Sequence, residues 1–224
     1  MMPATLPELS LLETRILGTL AEKERTVPDT YPLTLNALLS GCNQKTSRDP
    51  VLDASAAEIQ AGIDSLKVHS LVIESSGGRV ARYEHNLERV LQLPTQSTAL
   101  LTVLMLRGPQ TAGELRIATD RLHKFADISA VEGFLHELAG RPAGALVAEL
   151  ARQPGERETR WAQLLGGPPA EAAPVAQATS QSRGEPDAGE LAGLKASVAR
   201  LEVEVDSLKA ALEQIRAQLG DAQS

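Results

Sequence analysis

SAAEIQAGIDSLKVHSLVIESSGGRVARY, residues 55–83, is the stretch of sequence that decides the fold. Ser55 and Glu58 have the spacing of a capping box, in which two side chains satisfy free N–H groups at the start of a helix. Three apolar residues then recur at helical spacing: Ile59, Ile63 and Leu66. Two extended runs on either side of Gly77-Gly78 come next, which is typical of a β-hairpin. The stretch therefore predicts a helix followed directly by a hairpin.

Two helices are predicted before this stretch, at about residues 8–24 and 33–40. The first carries apolar residues at steps of three and four along one face: Leu9, Leu12, Ile16 and Leu20. A segment with two prolines separates the helices, and the loop at 42–53 contains Asp49-Pro50, a dipeptide that disfavours helix. Three helices and a hairpin are thus expected within residues 1–90.

The same order of elements recurs further along the chain. The predicted elements are helices at 95–106, 111–120 and 128–139, and strands at 145–152 and 159–165. A shift of 72 residues places Ala56, Ile59, Ile63 and Leu66 on Ile128, Val131, Leu135 and Leu138. Three helices followed by a hairpin is the order of a winged helix, whose second and third helices form a helix-turn-helix and whose hairpin is the wing. The sequence predicts a mainly α protein with small β-hairpins, in which residues 1–90 and 91–166 form two tandem winged-helix domains.

A different composition begins after the second hairpin. Residues 167–189 are rich in Pro, Ala, Gly, Ser and Gln, so we expect a disordered linker. Residues 190–220 then show the heptad pattern of a coiled-coil helix. The predicted oligomerisation residues are Leu191, Leu194, Val198, Leu201, Val205, Leu208, Leu212 and Ile215. An isolated helix of this length is marginal in water, so we expect it either to form a homodimer or to fold back on the winged helices.

The charge and composition of the chain restrict its partners and compartment. The formal net charge is -7, and no segment has the clustered Lys and Arg of a non-specific nucleic-acid binder. The single cysteine excludes an internal disulfide and indicates a reducing compartment. The first ten residues lack the features of a signal peptide, and the longest apolar run is far shorter than the about 20 residues that span a bilayer. We therefore expect a cytoplasmic protein without a membrane partner.

Motifs that carry chemistry are missing from the sequence. It contains no P-loop, GxSxG, dinucleotide-binding, HExxH or CxxC motif, so we predict no enzymatic activity and no cofactor. The four histidines lack metal-ligand spacing, and no metal site is predicted: His69, His85, His123 and His136. Cys42 is expected to be a small buried side chain; the alternative is a reactive thiol whose pKa the nearby Lys45 lowers.

The most unusual stretch is residues 41–50, which combine amides, hydroxyls and two cations. The candidate nucleic-acid contacts there are Asn43, Gln44, Lys45 and Arg48. Amide and cationic side chains can bind base edges or phosphates. In the alternative interpretation, the same side chains cap helix ends and satisfy backbone groups.

Arginines also flank both predicted wings. They are Arg79 and Arg82 in the first hairpin, and Arg152, Arg157 and Arg160 in the second. A wing arginine can contact the sugar-phosphate backbone, although edge strands commonly carry such charges only to block aggregation. Tyr83 and Trp161 lie on the returning strands, where we expect packing rather than base stacking.

The third helices favour a different partner. Their outward residues are Glu58, Gln60, Asp64 and Lys67 in the first unit, and Glu132, His136 and Glu137 in the second, and four of the seven are carboxylates. A recognition helix with so many carboxylates meets phosphate repulsion in the major groove.

Seven motifs, spread over about residues 9–166, resemble the YceH family, an uncharacterised bacterial group with tandem winged helices. They are LETRILG at 12–18, YPLTLN at 31–36, CNQK at 42–45, RDPV at 48–51, LRGPQT at 106–111, GELR at 113–116 and PGERETR at 154–160. The C-terminal heptad helix is also typical of that family. The resemblance implies a tandem winged-helix fold, and it implies no activity, ligand or catalytic residue.

Three hypotheses about function follow from the sequence. The leading one is a dimeric, non-enzymatic protein that associates with double-stranded DNA, because of the fold and the wing arginines. The alternative is a protein–protein adaptor, which the acidic third helices and the negative net charge favour. The third is an enzyme with an unfamiliar site.

Overall fold

A computed structural model describes residues 8–75, 80–152 and 155–167. The protein is mainly helical with small antiparallel sheets, as predicted, and its described residues all fall within one compact unit. The predicted linker from residue 168 onward and the predicted coiled-coil helix lie outside the described residues, as do Gly77, Gly78 and Arg79. Within the described ranges, no helix combines the length and the apolar character needed to cross a bilayer.

The first three helices are α1 (Leu11–Thr26), α2 (Leu35–Cys42) and α3 (Ala56–Val68). The capping box predicted at Ser55 is confirmed, because Ser55 accepts from the N–H of Glu58 while the Glu58 carboxylate accepts from the N–H of Ser55. Ser10 and Glu13 form a second box at the start of α1. Local side-chain chemistry therefore fixes where α1 and α3 begin.

The predicted start of the second helix at Leu33 is wrong. Leu33–Thr34 forms strand β1, in which Leu33 pairs with Tyr83, and the Thr34 hydroxyl accepts from the N–H of Ala37 to begin α2. Leucine periodicity extends into this strand, so the pattern alone does not separate it from the helix.

The hairpin of the first unit is confirmed. Its strands are β2 (Val72–Ser75) and β3 (Arg82–His85), and the antiparallel sheet has the order β1-β3-β2. The returning strand begins later than the predicted run at residue 79. A short helix that the sequence pattern did not predict, α4 (Leu87–Leu91), follows the hairpin.

The remaining elements are α5 (Thr95–Arg107), α6 (Ala112–Ala118), α7 (Ile128–Ala139), β4 (Val147–Glu149) and β5 (Trp161–Gln163). The three predicted helices are present and the two strands pair antiparallel. Both strands are shorter than predicted, although the N–H of Leu150 still donates to the carbonyl of Arg160 and Trp161 also bridges to Gln110.

The repeated apolar face lies in the core. Six of its eight residues are at most 1% exposed: Ile59, Ile63, Leu66, Val131, Leu135 and Leu138. The first pair of the repeat differs, because Ala56 and Ile128 are the first residues of their helices and lie at the surface. At the centre, α1 and α5 pack closely, and a Cβ on Gly18 would lie 2.9 Å from Cδ2 of Leu106.

Candidate binding surfaces

Arg48, a predicted DNA contact, lies inside the fold. Its side chain is fully buried, and its two terminal nitrogens donate to the Glu22 carboxylate at 3.2 and 2.6 Å. Its Nε donates to the carbonyl of Gly41 near the end of α2. Burial raises the pKa of Glu22. The hydrogen bonds and charge of Arg48 oppose this effect and outweigh it, so the pKa lies below its ordinary value. Arg48 would have to leave this pair to reach a phosphate.

The neighbouring amides of residues 41–50 are also engaged within the protein. The Asn43 side chain donates to the carbonyl of Ala54 at 2.8 Å and accepts from its N–H at 2.9 Å. Gln44 accepts from Lys23 and donates to Thr46. Lys45 is exposed. Asn43, Gln44 and Arg48 thus form hydrogen bonds within the protein, as in the alternative interpretation of residues 41–50. Lys45 remains at the surface.

Arg15 is a buried cation that the sequence pattern did not single out. It is 0% exposed, and it donates to the carbonyls of Cys42 at 3.3 Å and Pro50 at 2.7 Å. Burial and the charge of Arg48 lower the pKa of Arg15. Its burial could have been predicted from its place in the apolar run LLETRILGTL. A cation within a buried stripe needs hydrogen-bond partners, and backbone carbonyls can supply them.

Cys42 is a structural cysteine. It is fully buried, and its Sγ lies 3.7 Å from Oγ1 of Thr19. Burial raises its pKa to about 11, which outweighs the hydrogen bond to Thr19 and the charge of Arg15. This supports the prediction of a small buried side chain and contradicts the reactive-thiol alternative, because a reactive cysteine needs an accessible thiolate.

Two of the predicted hairpin arginines hold the hairpins to the rest of the fold. Arg82 donates to the carbonyl of Pro32 at 2.7 Å and to that of Thr30 at 3.3 Å. Arg160 pairs with Glu114 of α6 at 2.9 Å and with Glu156 at 3.3 Å. Both are therefore positioned by contacts within the protein.

The two other arginines of the second hairpin line a cleft beside α7. This α7–hairpin cleft has a volume of about 410 Å³, and Arg152 and Arg157 are exposed at it. His136 of α7 lies edge-on to Trp161 in the same cleft, with ring centroids 5.1 Å apart. Three carboxylates also line it: Glu132, Glu149 and Glu158. Its two arginines and three glutamates sum to a charge of -1.

The exposed faces of the third helices have the predicted character. Glu58, Asp64 and Lys67 are exposed on α3, and Lys67 is paired with Glu74 of β2. Glu132, His136 and Glu137 are exposed on α7. Tyr83 and Trp161 are buried, as expected for packing residues, and the Tyr83 hydroxyl donates to Gln60.

The contact between His85 and Glu24 has a structural role. Nε2 of His85 lies 3.1 Å from the Glu24 carboxylate, while Nδ1 accepts from the N–H of Leu87. Both ring nitrogens are thus engaged, which leaves neither for a substrate. The described part of the chain also contains no group of three or more His, Cys, Asp or Glu residues placed to hold a metal ion.

Comparison with known proteins identifies the family. The family model described as "Protein of unknown function, DUF480" matches residues 9–156. A UPF0502 protein of Dechloromonas aromatica is 61% identical over 211 residues, which cover 94% of this chain and 97% of the relative. A UPF0502 protein of Methylibium petroleiphilum is 59% identical over 202 residues, covering 90% of this chain and 86% of the relative. The chain therefore belongs to the DUF480 family of UPF0502 proteins, which confirms the resemblance to the YceH family.

Proposed function

We propose that this chain is a non-enzymatic tandem winged-helix protein that binds a protein partner through its α7–hairpin cleft. The order α1-α2-α3-hairpin followed by α5-α6-α7-hairpin supports two winged helices. The proposed domains are residues 1–90 and 91–166. Among the described residues, the polar side chains of Asn43, Arg48 and His85 are held in structural contacts, which supports a binding role over a catalytic one.

The observation that carries the proposal is the charge of the surface where a winged helix would meet DNA. The α7–hairpin cleft holds three glutamates against two arginines, and the exposed face of α3 adds Glu58 and Asp64 against Lys67. Duplex binding depends on neutralising phosphates with clustered cations. A surface of mixed charge and net negative sign instead complements a protein segment that carries both signs.

The same cleft offers apolar contact area. Ile128 is 46% exposed at its edge. A Cβ on Gly113 of α6 would lie 4.0 Å from Cδ1 of Ile128, so α6 approaches α7 at this edge. Removing the exposed part of Ile128 from water lowers the free energy of a complex. This edge therefore favours a partner that contributes an apolar side chain.

Double-stranded DNA is the second candidate partner, and one observation favours it. Arg152 and Arg157 are exposed beside α7 at the position of a wing, where they can reach phosphates. Lys45 is a further exposed cation in the first unit.

Titration of a labelled random duplex at several salt concentrations separates the two candidates. The adaptor function predicts negligible affinity even at low salt and the same result for Arg157→Ala. DNA binding predicts a measurable affinity that falls steeply with salt, with a slope that Arg157→Ala reduces by about 1. Arg89→Ala, an exposed arginine of α4 outside the cleft, is the matched control. If the duplex binds in a salt-dependent way, and Arg157→Ala weakens this binding while Arg89→Ala does not, DNA binding would replace the adaptor proposal.

Site-specific photo-crosslinking in cells tests the partner directly. A crosslinking residue in place of Ser129, exposed next to Ile128, is expected to capture one protein species. The same residue at Asn36, exposed on α2, is the control position. Ile128→Asp should remove the capture without unfolding the protein, because Ile128 is half-exposed. Equal capture from both positions, or capture that survives Ile128→Asp, would contradict binding at the cleft.

A further inference from the structure

A second, larger depression, broadly open to solvent, lies between the start of α5 and the second half of α7. This α5–α7 crevice has a volume of about 610 Å³ and shares only His136 with the α7–hairpin cleft. Its polar side chains are Gln92, Ser97, His136, Glu137 and Arg141. Leu93, Pro94, Leu138 and Pro142 supply apolar walls. A concave site with apolar walls and a few convergent polar groups is typical of small-molecule binding.

Arg141 is the cation of this crevice, and its guanidinium is incompletely satisfied. One terminal nitrogen donates to the carbonyl of Leu91 at 2.6 Å, which fixes the side chain in place. Its Nε is buried and has no hydrogen-bond partner among the described residues. The buried Nε itself lies beyond the reach of a ligand, whereas guanidinium N–H groups that face the crevice are met best by the oxygens of a carboxylate or phosphate.

The start of α5 adds a second positive element to the lining of the crevice. Its N-cap is Pro94, which provides no capping side chain, and its first turn contains no acidic residue. The N-caps of α1, α2, α3, α6 and α7 each accept a backbone N–H through a side chain, whereas those of α4 and α5 do not. The first-turn N–H groups of α5, including that of the buried Ser97, thus lack a side-chain acceptor in the described chain. Such groups stabilise a nearby anion.

We propose that the α5–α7 crevice binds a small organic molecule through an oxyanion group held by Arg141 and the first turn of α5. The cavity is larger than a free carboxylate or phosphate requires, so the apolar walls would take the organic part of the ligand. Glu137 is the one carboxylate among the residues of this crevice, and it limits the negative charge that the site accepts. This site is independent of the protein partner proposed for the cleft.

Calorimetric titration of the full-length protein with benzoate and with phenyl phosphate, at constant ionic strength, tests this site. Saturable binding of at least one probe is expected, and comparison of the two distinguishes carboxylate from phosphate recognition. Arg141→Gln should weaken binding about tenfold or more, because a charge-assisted hydrogen bond is lost. Glu137→Gln should tighten binding of the same probe, because a like charge is removed.

The variants are interpreted against two controls. Arg152→Gln changes an arginine of the neighbouring cleft and should leave probe affinity unchanged. Arg141→Gln also loses the hydrogen bond to Leu91, so thermal melts show whether this variant remains folded. If it unfolds, the affinity of Glu137→Gln for the probe is the deciding measurement. Absence of saturable binding for both probes, or equal affinity for wild type and Glu137→Gln, would overturn the proposal.

Discussion

Two buried arginines explain why residues 41–50 look unusual. Arg15 and Arg48 both donate to carbonyls at the end of α2, and Glu22 is the carboxylate within ion-pair distance of Arg48 in the described chain. The negative end of a helix dipole favours cations at this position. The polar character of the segment therefore reflects how α2 is terminated.

The Glu22–Arg48 pair predicts a loss of stability in acid. Because the folded-state pKa of Glu22 lies below its unfolded value, its stabilisation is present above the ordinary glutamate pKa of about 4.3 and is lost as the pH falls through the folded-state pKa. Glu22→Gln should lower the free energy of unfolding at pH 7 by about 3 kcal/mol, since it leaves Arg48 buried without its charge partner. Urea unfolding between pH 7 and 3 measures both effects.

The acid dependence provides the control. Glu22→Gln should show a shallower fall in stability below about pH 5 than wild type, whereas Glu132→Gln, exposed on α7, should keep the wild-type fall. Parallel pH profiles for wild type and Glu22→Gln would contradict the assignment.

Two helical glycines predict opposite results for the same substitution. Gly133→Ala in α7 should raise the free energy of unfolding by about 0.5–1 kcal/mol, because alanine favours helix and its Cβ would meet nothing within 4 Å. Gly18→Ala in α1 should lower it by about 1 kcal/mol, because the new Cβ would lie 3.2 Å from Cβ of Met105 and 2.9 Å from Leu106. Denaturant unfolding of both variants checks the signs, and a gain for Gly18→Ala would show that α1 and α5 can separate without cost.

At the scale of the element, side-chain caps set most helix starts. The spacing of Ser55 and Glu58 predicted one capping box, and the same arrangement occurs at Ser10 and Thr111. Such helix starts can be predicted from the sequence, because the two residues of a capping box are only three positions apart. The strand at Leu33–Thr34 is not, because its partner Tyr83 lies about 50 residues away and pairing depends on where the hairpin packs.

The cap of α3 gives a direct prediction. Ser55→Ala should reduce the free energy of unfolding by about 1 kcal/mol, because an N–H at the start of the helix loses its acceptor. Ser40→Ala, an exposed serine within α2, is the matched control and should change it little. Equal losses for the two variants would mean that the Ser55 hydroxyl contributes nothing as a cap.

At the scale of the whole molecule, α1 and α5 occupy the centre of the described structure. Residues 14–21 and 97–106 are continuously buried, so each helix is covered on all sides. The two proposed domains share this helix pair as their interface. Because each helix of the pair is buried partly by the other, neither unit can unfold without exposing the apolar surface of its neighbour. We therefore expect a single unfolding transition for residues 8–167.

The homodimer that the sequence predicts through residues 190–220 involves residues outside the described ranges, so it is tested on the whole chain. Light scattering should give a dimer for the full-length protein and a monomer for a chain truncated after Gly167. Leu201→Asp, within the heptad pattern, should convert the full-length dimer to a monomer, because a charge in a coiled-coil seam is not tolerated. The same mass per particle for full-length and truncated protein would reject dimerisation by this segment.

The sequence by itself determined the mainly helical class of the fold and the starts of α3, α5 and α7. Apolar periodicity placed Ile59, Ile63, Val131 and Leu135 in the core because burial of one helix face depends only on spacing along the chain. It also predicted which carboxylates remain on the surface.

Only the tertiary structure decided which polar residues are available to a partner. Arg48 and Arg157 are the same residue type in similarly polar surroundings of the sequence, yet one is buried against Glu22 and the other is exposed at a cleft. The difference arises from helix ends and carboxylates that lie far away in sequence and near in space. Because a charge is buried only where such partners converge, its accessibility is a property of the packed structure.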